Sequence, residues 1–197
     1  MHPSYRFQND WFSSTIEEWT ETLAEYRSTP NLSFLEIGSF EGRSAVWLLE
    51  NILTNPTSVL TCIDTWQGSF EHHSTGLDFN KIEQNFDHNI QVSGQASQVK
   101  KIKGLSAIEL KRLQIYSYDF VYIDASHKAS NVLEDAVLSW QLLKVGGVII
   151  FDDYVWEPQY AKIDSPQIAI DAFVTCYADK LKVLRKGMQM TIQKVSS

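Results

Sequence analysis

The sequence contains little cysteine, and neither cysteine is placed for a disulfide or a zinc site. Only two cysteines occur in 197 residues, and they form no Cys-x-x-Cys pair and no ladder with histidine. Cys62 lies in an apolar, strand-like run and Cys176 in a helix-like run. Both are therefore predicted to be small core residues in a reducing compartment.

Long apolar runs and clustered basic residues are also missing. No segment approaches the roughly 18 consecutive apolar residues of a membrane span, and the start, MHPSYRFQND, has no apolar signal-peptide core. The net charge is −7 and the lysines and arginines are scattered, which argues against a nucleic-acid groove. We expect a cytoplasmic protein that acts on small molecules, without nucleic acid or membrane. The oligomeric state is left open, with a homodimer as one option.

The composition fits one globular domain. Hydrophobic residues make up 44% of the chain and charged residues 21%, and a chain of this length can bury a substantial core. We predict a single domain over 1–197, in which residues 1–30 form an N-terminal helical cap. The polar segment 66–97 is predicted to be a variable excursion over the active site.

Short apolar runs alternate with helical patterns along the chain. Strands are predicted at 32–38, 58–64, 99–104, 119–124 and 148–151. The intervening helices include one that starts after Gly42, and the first helix, over 14–27, opens with Ser14 and Glu17 in capping-box spacing. A last helix over about 165–178 precedes two strand-like runs, KVLRKG and MQMTIQKV.

This order of elements predicts an α/β fold. Strands that alternate with helices form a parallel sheet covered on both faces, and the two last runs are close enough to pair as an antiparallel hairpin. The sequence therefore predicts a Rossmann-like three-layer sandwich with a seven-stranded, mostly parallel sheet. Ligands of such sheets bind at the carboxyl ends of the strands.

The stretch EIGSFEGRS, residues 36–44, places Gly38 at a strand end and Gly42 at a helix start. The dinucleotide pattern GxGxxG would need a glycine where Phe40 stands, so the turn suits a nucleoside without a diphosphate. Asp64 ends the second strand and can accept hydrogen bonds from ribose hydroxyls. A turn that binds no ligand, with Asp64 as a helix N-cap, is the structural alternative.

Acidic residues end further strands. Asp124 follows the fourth strand, and Asp152 and Asp153 follow the fifth. If these strands are neighbours and the chain leaves strand geometry at its end, the three carboxylates form a site for magnesium, manganese or calcium. His127 lies three residues after Asp124 and can act as a general base. Each residue could instead be a helix cap, a surface histidine or part of a solvated turn.

The pattern ExGxxxGxS, with an acid closing the second strand, resembles the class I S-adenosylmethionine-dependent methyltransferases over almost the whole chain. FLEIGSFEGRSAV is especially similar to the first motif of the catechol-type O-methyltransferases. The DxxH pattern from Asp124 to His127, followed by the acidic pair, resembles the macrolide-sugar O-methyltransferases. The chain departs from the catechol-type pattern at Asp153, where those enzymes carry asparagine.

The resemblance implies roles for individual residues. Gly38, Phe40 and Ser44 would line the methionine part of the cofactor, Asp64 the ribose and Ser106 the adenine. The full set implied for the cofactor is Glu36, Gly38, Ser39, Phe40, Gly42, Ser44, Asp64, Thr65, Trp66, Ser106 and Asp124.

The implied activity is a magnesium-type, S-adenosylmethionine-dependent O-methyl transfer to a small molecule, such as a sugar or phenol of a natural product. Asp124, Asp152 and Asp153 would hold the metal, which could also be manganese or calcium, and Asp124 and His127 would be catalytic, with Lys128 as the reserve base. An oxidoreductase with a nicotinamide site and a non-catalytic nucleoside-binding module are the alternative functions.

Overall fold

The computed structural model describes residues 4–68, 76–155 and 165–197, and its strands form a seven-stranded sheet. In chain order they are β1 (Ser33–Ile37), β2 (Val59–Asp64), β3 (Val99–Lys103), β4 (Tyr118–Ile123), β5 (Leu143–Phe151), β6 (Leu181–Lys186) and β7 (Met190–Lys194). The order across the sheet is β3-β2-β1-β4-β5-β7-β6.

Helices flank this sheet. The α-helices of the described ranges are α1 (Ile16–Thr22), α2 (Arg43–Asn51), α3 (Phe79–Val92), α4 (Ser106–Glu109), α5 (Ala129–Leu142) and α6 (Pro166–Cys176). Short 3-10 helices lie at Ser13–Thr15, Ala24–Tyr26, Ala96–Gln98 and Leu110–Arg112. The helices alternate with the parallel strands because a parallel pair needs a long crossover connection.

The strand pairing confirms the predicted fold class. β4 is parallel to both β1 and β5, and β2 is parallel to β3. β7 is antiparallel to both β5 and β6, so the two last strands form the predicted hairpin. The strand order reverses between β1 and β4, and in open α/β sheets the carboxyl ends at such a point are where ligands bind.

The chain divides into two compact units. The first comprises Met1–Ser33 and Ser39–Lys103, and the second comprises Phe34–Gly38 and Gly104–Ser197. The first unit has an aromatic core in which Phe12 and Trp47 pack around the fully buried Trp19.

The core of the second unit lies between sheet and helices. The rings of Phe34 on β1 and Phe120 on β4 lie 4.8 Å apart, and Phe173 on α6 contacts Phe151 on β5. Each aromatic side chain buries a large apolar area and adds a specific ring contact.

One prediction about the helices is wrong, and one helix was not predicted. The capping box at Ser14 and Glu17 does not form, because α1 starts at Ile16 with Thr15 as its N-cap and no side-chain cap bond. Helix α3 was missed inside the polar segment 66–97. Its N-cap Asp78 accepts a hydrogen bond from the backbone of Asn80 at 3.1 Å, and its buried face repeats at intervals of four residues, with Ile82, Phe86 and Ile90.

Other differences are local. β5 begins at Leu143 and runs through both glycines before the apolar run that the sequence marked. Cys62 is buried in β2 as predicted, but Cys176 is exposed at the end of α6, and both are free thiols. In the parts of the chain that the structure describes, no helix is both long and apolar enough to cross a bilayer.

Candidate active site

The glycine turn, residues 38–42, joins β1 to α2 through unusual backbone conformations. Gly38 and Gly42 have φ values of 87° and 78°, and Phe40 has a φ of 46°. A non-glycine residue in this left-handed region costs about 1–3 kcal/mol. The surrounding structure must therefore hold Phe40 in place.

Asp64 at the end of β2 provides that support. Its Oδ2 accepts hydrogen bonds from the backbone N–H groups of Ser39 at 2.9 Å and Phe40 at 2.7 Å. Its Oδ1 accepts from the backbone of Trp66 at 2.7 Å, and the Trp66 indole in turn donates to the Phe40 carbonyl at 2.9 Å. A carboxylate offers about four acceptor positions, so these bonds leave room for a further donor such as a ribose hydroxyl.

The same bonds count against a dinucleotide site. A pyrophosphate is bound by backbone N–H groups of a glycine-rich turn, whereas the N–H groups of Ser39 and Phe40 already donate to Asp64. The Ser39 side chain is only 3% exposed, and its hydroxyl has no hydrogen-bond partner among the described residues. A buried hydroxyl of this kind fits a polar ligand that completes its hydrogen bonding.

Packing explains both glycines of the turn. A Cβ on Gly38 would lie 2.0 Å from the Asp124 carbonyl oxygen, and a Cβ on Gly42 would lie 2.9 Å from the Phe86 ring. Glycines in such a turn can allow close approach of the backbone to a ligand. The structure shows that they already allow close approach of the chain to itself.

The other residues implied for the cofactor occupy varied positions. Ser44 is buried in α2, and the Thr65 hydroxyl accepts from the backbone of Gln67 at 3.3 Å. Ser106 is the first residue of α4, and its side chain is hydrogen-bonded to the buried Asp135. Glu36 is completely buried in β1.

The second group of predicted site residues lies at the ends of β4 and β5. These strands pair in parallel with Ile123 opposite Phe151, so Asp124 and Asp152 follow paired positions. The Asp152 backbone N–H donates to the Ile123 carbonyl at 3.0 Å. The expected neighbourhood of the two strands is therefore confirmed.

Tyr122 joins two of these carboxylates and was missed in the sequence. Its hydroxyl donates to Asp124 Oδ2 at 3.0 Å and also makes a short hydrogen bond to Asp152 Oδ2. Tyr122 precedes Asp124 by two residues, and positions two apart share a face of a strand. That spacing was the available signal, but aromatic residues in strand interiors are usually core.

The electrostatics of this group are dominated by negative charge. Burial, followed by the charges of Asp152, Asp153 and Glu36, raises the pKa of Asp124 well above its usual value, against the hydrogen bond from Tyr122. Burial and the charge of Asp153 likewise raise the pKa of Asp152. Carboxylates gathered in this way favour either a proton or a bound cation.

Asp153 pairs with His127. β5 ends at Phe151 and Asp153 has a φ of 54°, so the chain leaves strand geometry as expected. His127 Nε2 lies 2.7 Å from Asp153 Oδ2, with both side chains partly exposed. The Asp152 carboxylate instead accepts from Tyr122 and, at 2.8 Å, from the backbone N–H of Asp153.

Three of the side chains fit a divalent cation. Ligand atoms of Asp124, His127 and Asp153 all lie within 4.8 Å of one another. Ions bound at about 2.0–2.6 Å place opposite ligands about 4–5 Å apart, so the spacing suits magnesium, manganese or calcium. This set contains His127 in place of Asp152, which the sequence had included.

The remaining candidates are placed as follows. Lys128 is exposed at the N-cap of α5. Trp66, one of the residues implied for the cofactor, is buried, with its indole donating to the Phe40 carbonyl at 2.9 Å. Tyr154 is buried, and its hydroxyl donates to Asp171 at 2.9 Å. The sequence pattern also offers Trp66, Phe70, Trp156 and Tyr160 as an apolar lid beside the site. Phe70, Trp156, Tyr160 and the adjacent pair His72-His73 lie outside the described residues.

Comparison with known protein families identifies the family to which this chain belongs. Residues 35–154, from β1 to the end of the acidic pair, match the model of a family described as a methyltransferase domain. The chain belongs to this methyltransferase family. The match confirms the predicted membership of the S-adenosylmethionine-dependent methyltransferases and disfavours the oxidoreductase.

One curated relative of the methyltransferase is the uncharacterized protein R132 of Acanthamoeba polyphaga mimivirus. The two are 30% identical over 148 residues, which are 71% of this chain and 60% of the viral protein. The methyltransferase thus spans about three fifths of that relative's length.

Solved structures share the fold of the methyltransferase. One of them is the O-methyltransferase TomG of Streptomyces achromogenes, which is involved in tomaymycin synthesis and was solved with S-adenosylmethionine. It has 19% sequence identity and a TM-score of 0.68, and the match covers 94% of this chain and 82% of TomG. An O-methyltransferase of Bacillus cereus in complex with S-adenosylhomocysteine has 19% identity and a TM-score of 0.58, covering 93% of this chain and 92% of its own.

Proposed function

We propose that this methyltransferase transfers a methyl group from S-adenosylmethionine to a hydroxyl of a small molecule, with His127 as general base. The observation that carries the proposal is the 2.7 Å pair between His127 Nε2 and Asp153 Oδ2. A carboxylate that accepts the Nε2 proton holds neutral imidazole in the tautomer whose other nitrogen, Nδ1, is basic. Nδ1 is buried, so His127 would remove the proton of an acceptor hydroxyl that packs directly against this atom.

The residues proposed for the cofactor keep the roles that the resemblance implies. Asp64 has an acceptor position left for a ribose hydroxyl, and Gly38, Phe40 and Ser44 would line the methionine part. The buried Ser39 hydroxyl lies in the same turn. Ser106, held by Asp135, is the adenine candidate. The sulfonium of the bound cofactor supplies the electrophilic methyl group.

We also propose that Asp124 and Asp153 hold a divalent cation. A carboxylate has two oxygens, so Asp153 can orient His127 through one and bind the ion through the other. The cation would supply Lewis-acid activation of the acceptor hydroxyl. In an alternative arrangement His127 Nε2 is itself the third ligand, as the spacing of the three side chains allows, and it could not then serve as the base.

A small hydroxylated natural product, such as a sugar or a phenol, is the proposed acceptor class. The net charge of −7 and the scattered basic residues do not suit a nucleic-acid substrate. TomG, a structural neighbour, is involved in the synthesis of a natural product, which agrees with this class.

Titration calorimetry with S-adenosylhomocysteine and with NAD, each with and without magnesium, tests the cofactor. We expect binding of S-adenosylhomocysteine, and a preference for NAD would reject the proposal. A panel of phenols and sugars incubated with S-adenosylmethionine carrying a labelled methyl group then tests the reaction. Label recovered on nitrogen or carbon instead of oxygen would contradict O-methyl transfer.

A further inference from the structure

The N-terminal segment 4–12 is bound to the glycine turn through Gln8. The Gln8 backbone N–H donates to Glu41 Oε2 at 2.6 Å, and its side-chain amide donates to Glu41 Oε1 at 2.8 Å. Glu41 lies within the turn, between Phe40 and Gly42. The N-terminal segment thus holds a turn that is distant from it in the sequence.

Glu41 depends on these donors because its side chain is only 1% exposed. A buried carboxylate is stabilised only when hydrogen-bond donors replace water. Beside Gln8, Asn85 on α3 donates to Glu41 Oε1 at 2.7 Å. Among the described residues, Gln8 therefore supplies two of the three hydrogen bonds to this carboxylate, one from its backbone and one from its side chain. Loss of the side-chain bond would favour movement of the carboxylate toward water.

The segment contacts the turn at further points. Asn89 on α3 donates both to the Glu41 carbonyl and to the Arg6 carbonyl, each at 2.8 Å. The Trp11 ring lies 5.3 Å from the Phe40 ring. A shift of this segment would therefore be transmitted to both Glu41 and Phe40.

Gln8 also links the turn to the start of α3. Its side-chain oxygen accepts from the Asp78 backbone N–H at 2.8 Å, and its side-chain nitrogen donates to the Asp78 carbonyl at 3.3 Å. Asp78 is the N-cap of α3. One carboxamide therefore fixes the turn against the beginning of a helix, with both of its polar atoms used.

We propose that Gln8 is a positioning residue for cofactor binding, which it supports by holding Glu41 and hence the turn that carries Ser39 and Phe40. The inference rests on the proposed function, because the turn is the proposed cofactor site. Small displacements of binding groups can cost about tenfold or more in affinity or rate. The effect should appear as weaker cofactor binding, not as a loss of folded protein.

The test compares three variants with the wild type by calorimetric titration of S-adenosylhomocysteine. Gln8→Met keeps the length of the side chain and the backbone N–H bond to Glu41 but removes the side-chain amide that bonds to Glu41 and Asp78, and we expect the Kd to rise about tenfold. Gln8→Lys restores a donor toward Glu41 and should return the Kd to within about threefold of the wild type. Tyr5→Phe is the matched control, since Tyr5 bonds to Glu50 on α2 and does not touch the turn.

Steady-state kinetics separate positioning from general destabilisation. Loss of positioning raises the KM for S-adenosylmethionine in Gln8→Met, whereas loss of folded enzyme lowers kcat at unchanged KM. A wild-type Kd and KM in Gln8→Met would overturn the role of Gln8 and leave the proposed function intact. If Gln8→Met does not fold, a Kd for Gln8→Lys that is tenfold above the wild-type value overturns the role of Gln8. Wild-type protein that does not bind S-adenosylhomocysteine overturns both this role and the proposed function.

Discussion

His127 Nε2 lies 2.7 Å from Asp153 Oδ2, and the two residues come from the segments that follow β4 and β5. The Asp153 backbone is left-handed, with a φ of 54°, and Asp152 is hydrogen-bonded to Tyr122 instead. Two adjacent aspartates thereby take different partners. Asp152 faces Tyr122, and Asp153 faces the proposed base.

Replacement of the base should slow the chemical step. We expect His127→Ala to lower kcat by about 10²- to 10⁴-fold and to leave the Kd for S-adenosylhomocysteine unchanged. The loss should be largest where the imidazole is neutral and the acceptor hydroxyl is not yet ionised, and it should shrink at a pH low enough to protonate the imidazole. Turnover measured across a range of pH values checks this. His88→Ala, which alters a surface histidine bonded to the Ser4 carbonyl, is the control, and a loss equal at every pH would argue against a base.

Metal binding should distinguish Asp124 from Asp152. Calorimetric titration with Mn²⁺ is expected to show a loss of at least about 100-fold in affinity for Asp124→Asn, and a smaller loss, about tenfold, for Asp152→Asn, which only supports its neighbours. His127→Ala should bind Mn²⁺ as the wild type does. Loss of Mn²⁺ affinity in that variant would instead make His127 a ligand and remove it as the base.

Asp135 should make stability depend on pH. Burial raises the pKa of this carboxyl from 3.8 to about 6, against the hydrogen bond from Ser106. Because the pKa of Asp135 is raised in the folded state, the contribution of this residue to the free energy of unfolding is fully present below about pH 4. That contribution is lost as the pH rises through about 6. Asp135→Asn removes this dependence and should be more stable than the wild type above pH 6 by up to about 3 kcal/mol.

Urea unfolding of Asp135→Asn and the wild type between pH 4 and pH 8 measures this difference. Asp179→Asn, at an exposed position, controls for the removal of one negative charge. A constant difference in unfolding free energy across that range would show that Asp135 does not change its ionisation there on unfolding.

A comparison of two glycines that have the same φ distinguishes the cost of backbone strain from the cost of steric overlap. Gly38 and Gly146 both have a φ of 87°, but a Cβ on Gly38 would lie 2.0 Å from the Asp124 carbonyl oxygen, and one on Gly146 would have nothing within 4 Å. Gly146→Ala should cost only the strain of about 1–2 kcal/mol. Gly38→Ala should cost about 3 kcal/mol or more, because the chain must also move.

Thermal unfolding of these two variants checks the comparison. Equal losses of stability in the two variants would show that the end of β1 can move without a cost in free energy. The close approach to Asp124 would then not limit which residue can occupy position 38. A folded Gly38→Ala protein that keeps its affinity for S-adenosylhomocysteine would further show that the turn tolerates this shift.

The strands, the closing hairpin and the glycine turn were predictable because their patterns are local. A period of two or of three to four residues reports which face of an element is buried, and it identified β1 to β4 within one or two residues. Helix α3 was hidden because polar residues surround its three buried apolar positions, and the capping box failed because the chain enters α1 through a 3-10 turn.

The amino-acid order alone was enough to place an acid after each of several strands and to match the family over residues 35–154. It could not show which carboxylate oxygen faces which partner. That depended on the parallel register of β4 and β5, on the Tyr122 hydroxyl and on the backbone turn at Asp153. Side-chain direction follows a simple alternation only inside a strand, and these carboxylates lie just beyond the strand ends, where packing sets their direction.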